Sequence, residues 1–195
     1  MTTANTRTRY GTVAMSLHWL IAALVLTNIY LGLSFDTYAK GDPSLMQVVM
    51  IHKSIGLTVL VLSIARLVWR LMNPVPPLPA GMNPALKFAA RATHWLLYFL
   101  IIAIPLSGWL MVSVGPRPIP FFGLFDWPKF GFLAAIPAAQ QHATHESFES
   151  IHVTLAWAAI VLIVIHVCGA LYHQFLSRDD VFKRMLPGTN VADEA

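Results

Sequence analysis

Three stretches of this chain, Tyr10 to Phe35, Ala92 to Pro116 and Ser150 to Ser177, contain no Asp, Glu, Lys or Arg. Each exceeds the ~20 apolar residues that cross ~30 Å of hydrocarbon. A fourth stretch, Leu45 to Leu71, holds Lys53 and Arg66. Those two side chains stand ~18 Å apart along a helix, so their stems can reach opposite interfaces. The chain thus reads as four spans at about 12–34, 45–71, 88–114 and 150–176. Composition agrees, with 56% apolar and only 11% charged residues, where a soluble domain carries about 25% charged. A mean hydropathy of +0.62 excludes a water-soluble globule, and also disorder, which needs a polar, highly charged chain. Membrane strands would show alternating segments of ~10 residues, and none is present. The expected fold is all-α, an integral-membrane four-helix bundle in one domain over 1–187, with 188–195 a flexible tail.

The first apolar stretch is longer than a ~7–15-residue signal core, and no small-x-small cleavage site follows around Phe35-Asp36-Thr37. It reads as a retained helix. Orientation follows from the basic residues. One side receives Arg7, Arg9, Arg66, Arg70, Lys87, Arg91, Arg178, Lys183 and Arg184; the other receives Lys40, Lys53, Arg117 and Lys129. The richer side is expected to be cytoplasmic, with both termini inside. The net charge of +4 belongs to that basic inner face, so no nucleic-acid partner is implied. Asn73-Pro74-Val75-Pro76-Pro77-Leu78-Pro79 is a stiff inner connector, since proline cannot continue a helix. The outer loop, from Gly115 to about Ser150, is the longest connection. Its cluster of Phe121, Phe122, Phe125, Trp127 and Phe130 suggests a cap at the membrane interface.

Of eight histidines, His18, His52, His94, His152 and His166 fall in or at the ends of spans, and His173 lies near the end of the last. Ionisable residues inside spans mark functional sites by default. Metal or haem ligation, a proton relay and a transport pathway are the options. His152 and His166 lie about 21 Å apart on one helix and face nearly the same way. His18 sits in the inner half of the first span and His52 in the outer half of the second. The pairs His18/His166 and His52/His152 therefore match in depth, each joining two helices. Two facing imidazoles are what a six-coordinate b-type haem requires, and bundle cores hold such cofactors. A zinc site would gather three or four ligands. The single Cys168, with no Cys-x-x-Cys-His, excludes covalent c-type haem and an internal disulfide.

Met15-Ser16-Leu17-His18-Trp19-Leu20 and Met50-Ile51-His52-Lys53-Ser54-Ile55-Gly56 resemble the bacterial cytochrome b561 family. So do Ile151-His152-Val153-Thr154-Leu155, Ile165-His166, Ala170-Leu171-Tyr172-His173 and the ending Asp179-Asp180-Val181-Phe182-Lys183-Arg184-Met185-Leu186-Pro187. The resemblance implies a multi-pass protein of the bacterial inner membrane with two non-covalent b haems. His18 and His166 would ligate the inner haem, His52 and His152 the outer one. It also implies a quinone-linked electron carrier in contact with membrane lipid. The best-understood type is a superoxide oxidase, passing electrons from superoxide outside to ubiquinone inside; other members relay electrons for a periplasmic or membrane redox partner.

The remaining polar residues take roles around that relay. His94 and His173 are expected near the inner interface, below the inner haem, where they would hydrogen-bond a quinone or supply its protons; the plainer role is anchoring at the headgroups. Arg66 and Arg70 would hold haem propionates through charge-assisted hydrogen bonds, or act as ordinary inner anchors. Lys53 is the candidate catalytic residue, a cation steering anionic superoxide to the outer haem; Arg117 and Lys129 would add to it or simply be solvated. His142 and His145, with Glu146 and Glu149 nearby, are expected at the surface. Cys168 is expected to pack as a small apolar group, Trp19 and Trp95 as packing or interface residues, and Gly56, Gly108, Gly169 and Ala170 at close helix or porphyrin approaches. A histidine-bearing transporter without haem is the remaining alternative, separable by its lack of a reduced b-haem band.

Overall fold

The computed structural model describes residues 2–39 and 41–189; Lys40 and the tail beyond Thr189 lie outside the described residues. Four long apolar helices span it: α1 (Thr12–Ser34), α2 (Pro43–Met72), α3 (Pro84–Ser113) and α5 (Ala138–Leu171), with a one-turn α4 (Gly131–Ala134) before the last. In α2 and α3 the start is written locally. Asp42 and Asn83 accept from the backbone N–H of Ser44 and Ala85, and Pro43 and Pro84 occupy the first helical position, where proline's missing donor costs nothing. Both helices consequently begin a turn or so before the apolar stretch does.

The last span corrects the expectation. The segment expected to be loop up to Ser150 is helical from Ala138 onward. Ala138 to Glu149 is rich in helix formers, and His142–Glu146 and His145–Glu149 pair one turn apart at 3.3 and 3.7 Å, the spacing at which helical side chains meet. A search for charge-free spans stops where lipid stops, not where the helix does. The outer connection is therefore shorter and ordered. Its strands β1 (Pro120–Phe121) and β2 (Phe125–Asp126) form a small antiparallel hairpin, the only departure from an all-helical chain among the described residues. Phe122 and Gly123 both have positive φ in its turn, the backbone of a tight hairpin with matching twist.

Buried serines pin this cap to the bundle. Ser54 on α2 accepts from Phe122 N–H at 2.8 Å, Ser113 on α3 accepts from Phe130 N–H at 3.3 Å, and Trp109 donates to the Pro128 carbonyl at 2.8 Å. Lys129 donates to the Gly115 carbonyl. Phe121, Phe125 and Trp127 stack over it. At the inner end, the C-terminal segment crosses the basic face. Trp19 donates to the Met185 carbonyl at 2.8 Å, Arg9 to Leu186 at 3.3 Å and Arg184 to Pro77 at 2.6 Å.

The tightest packing runs α1 on α2, α2 on α3, and α3 on α5, with an apolar core of Ile21, Ile55 and Val59 between the first two. Helix α5 approaches α1 and α2 more loosely. The histidines occupy that looser seam. Cys168 corrects a second expectation: it is exposed on α5, a helix whose outer face is apolar nearly throughout and in a bilayer meets lipid.

Candidate functional site

Two histidine pairs face each other across the seam. His52 on α2 and His152 on α5 have ring centres 6.3 Å apart, with planes crossed at 76°. His18 on α1 and His166 on α5 are also 6.3 Å apart, crossed at 79°. One separation occurring twice, between different helices, has a simple chemical meaning. Metal–imidazole bonds of ~2.0–2.1 Å, with each ring centre a further ~1.15 Å beyond its nitrogen, put two rings bonded to opposite sides of one ion about 6.3 Å apart. Rings in direct contact sit closer, as His94 and His166 do at 5.3 Å. Among the described residues no group of three or more His, Cys, Asp or Glu is placed to hold a metal ion together. The donor set is therefore two separate bis-imidazole sites, which suits the axial positions of haem and not a tetrahedral metal.

In the outer pair, the surroundings fix both rings. His52 donates from Nδ1 to the Asn28 carbonyl at 3.1 Å. His152 Nδ1 lies 3.0 Å from the Ile104 carbonyl and 3.1 Å from Ser107 Oγ, whose hydroxyl itself donates to Ile104 at 2.7 Å. A ring that donates from Nδ1 leaves Nε2 free for a metal. Two glycines hold the same rings from the side. A Cβ on Gly32 or Gly108 would come within 3.1 Å of His52 Cε1 or His152 Cε1. Gly108 was expected at a close approach; Gly56 makes only ordinary contact, and Gly169 has nothing within 4 Å. Gly32, Asn28 and Ser107 were not singled out from sequence.

At the inner pair, charge and rings replace hydrogen bonds. Among the described residues neither His18 nor His166 makes a ring hydrogen bond. Trp19 packs edge-on against His18 and His94 against His166. His94 thus joins the inner pair directly, a correction to its placement below it, because its helix carries it to the level of His166. Arg66 donates to the Ala14 carbonyl at 2.5 Å, one turn before His18, and lies within electrostatic reach of His18 and His166. Arg70 sits over Trp95 and Tyr98, at 5.5 and 5.4 Å. Both guanidiniums retain further donors. His173 lies beyond this cluster, where a π-helical turn (Tyr172–Ser177) ends α5. Its Nδ1 pairs with Asp179 Oδ2 at 2.7 Å, so only Nε2 is left for another partner.

Lys53 stands next to His52 at the outer end of the bundle. With Arg117, Gln141, His142 and His145 it lines a half-open cavity of about 250 Å³ at the outer end of the bundle. The structure thus brings Lys53 and Arg117 together, and leaves Lys129 tied to the loop backbone.

The chain is similar to known proteins over nearly its whole length. Residues 9–188 match the family model described as prokaryotic cytochrome b561. The chain is 37% identical to cytochrome b561 homolog 2 of Escherichia coli K12, over 95% of each chain. It is 28% identical to the probable superoxide oxidase CybB of Yersinia pestis, over 92% of this chain and 96% of that one. It is 29% identical to cytochrome b562 of Cereibacter sphaeroides, over 91% and 94%.

Proposed function

The chain belongs to the prokaryotic cytochrome b561 family, a multi-pass bacterial membrane protein of electron transfer that binds haem b, and from that premise we propose that it carries two haems and oxidises superoxide at the outer face while reducing ubiquinone at the inner face of the inner membrane. The observation that carries this reading is the repeated 6.3 Å separation of two imidazole pairs. Bound there, haem b supplies reversible one-electron transfer. His18 and His166 hold the inner group, and His52 and His152 the outer. Arg66 and Arg70 offer guanidinium donors to carboxylates at the inner level. Lys53 and Arg117 give the outer cavity a positive potential, which draws an anion toward the outer pair faster than diffusion alone. His173, whose Nδ1 is held by Asp179, keeps Nε2 free to take up and pass on a proton, and His94 packs against the inner pair at the same end of the bundle, where a quinone being reduced takes up protons. Both termini lie on the cytoplasmic side by the distribution of basic residues.

Stopped-flow mixing of the oxidised protein with superoxide tests this. The expected result is reduction approaching ~10⁸ M⁻¹s⁻¹ and slowing as salt is raised. Slow, salt-independent reduction contradicts the oxidase and favours the second reading, an electron relay between quinol and a periplasmic or membrane redox partner. That second reading draws its support from the 37%-identical relative, which bears a cytochrome name and not an oxidase name.

A further inference from the structure

The two histidine pairs share one geometry but not one environment, and the difference has a direction. An imidazole that donates from Nδ1 to a carbonyl becomes a more electron-rich ligand through Nε2, which favours the oxidised metal. Both outer rings do this, His52 to Asn28 and His152 to Ile104, and Gly32 and Gly108 let each ring lie close enough. Neither inner ring does so among the described residues. At the inner pair the nearest fixed charge is instead Arg66, anchored on the Ala14 carbonyl in the part-buried seam. A cation in a low-dielectric interior disfavours a further positive charge on the metal. Lys53 lies beside His52 and works the opposite way, from a half-buried position like that of Arg66 but on the wall of the half-open outer cavity, so the hydrogen bonds of the outer rings carry the difference.

We infer that the chain itself biases electron flow inward, the outer pair being the lower-potential site and the inner pair the higher. The inference rests on the dihaem reading above. One electron leaves the outer site and one arrives at the inner site, with no proton and no third reactant in the step. Donors outside and quinone inside then sit at the two ends of a downhill path. Asn28, Ile104, Gly32 and Gly108 act through the outer ligands, and Arg66 acts through space on the inner ones; all are positioning residues.

Potentiometric titration of the purified holoprotein, followed in the reduced α-band, tests it. Two one-electron components are expected, at least tenfold apart in equilibrium constant, which is 59 mV. Arg66→Gln should lower the higher component alone, by several-fold. Gly32→Ala should raise the lower component as its Cβ pushes His52 off the Asn28 carbonyl. If that variant instead loses one haem, the haem that remains must titrate as the higher component. Coincident components overturn the inference, as does an Arg66→Gln shift confined to the lower one or loss of the higher one in Gly32→Ala. A preparation with fewer than two haems contradicts the dihaem reading itself, and the inference falls with it.

Discussion

The outer and inner histidine pairs are copies in distance and opposites in support. Outside, one backbone carbonyl and one glycine hold each ring. Inside, the rings rest on Trp19, His94 and a neighbouring guanidinium. The difference teaches that one ligand geometry can be supported by backbone hydrogen bonds at one end of a bundle and by packed rings and a cation at the other.

The largest expected effect breaks the comparison outright. His52→Ala or His152→Ala should leave one haem per chain, and His18→Ala or His166→Ala should leave the other, read by pyridine-haem counting and the shape of the α-band. Retention of both haems in any of these variants contradicts the pairing. Next, Gly108→Ala should lower stability by about 1–3 kcal/mol through overpacking against His152, together with outer haem occupancy. Gly169→Ala, where nothing lies within 4 Å, should do neither; thermal unfolding of the two variants checks this. Lys53→Gln should slow reduction by superoxide several-fold and flatten its salt dependence, with haem content unchanged. The smallest effect belongs to the exposed pair: His142→Ala or Glu146→Ala should move stability by less than ~0.5 kcal/mol.

The bundle was legible because lipid is an unforgiving solvent. Charge-free runs locate the spans, since a bilayer leaves the backbone no partner but its own helix. Histidines matched in depth stand opposite each other, at 6.3 Å in both pairs, because position along a helix converts directly to depth. What the sequence withheld lies across helices. Gly32 and His52 are far apart in the chain, and only the packing of α1 on α2 brings them within contact. Asn28 and Ile104 act through carbonyls, which every residue has, so no side-chain motif marks them. His94 was misplaced because its nearness to Arg91 suggested an interface position, whereas packing of α3 on α5 sets it against His166. The outer half of α5 was missed because its polar surface leaves no charge-free signal.

Haem-to-protein stoichiometry on the purified full chain, taken from a reduced-minus-oxidised spectrum and pyridine-haem quantitation, addresses the central claim most directly. Two b haems per chain is the result required by two imidazole pairs 6.3 Å apart. One haem, or a colourless preparation despite ample haem supply, would contradict it.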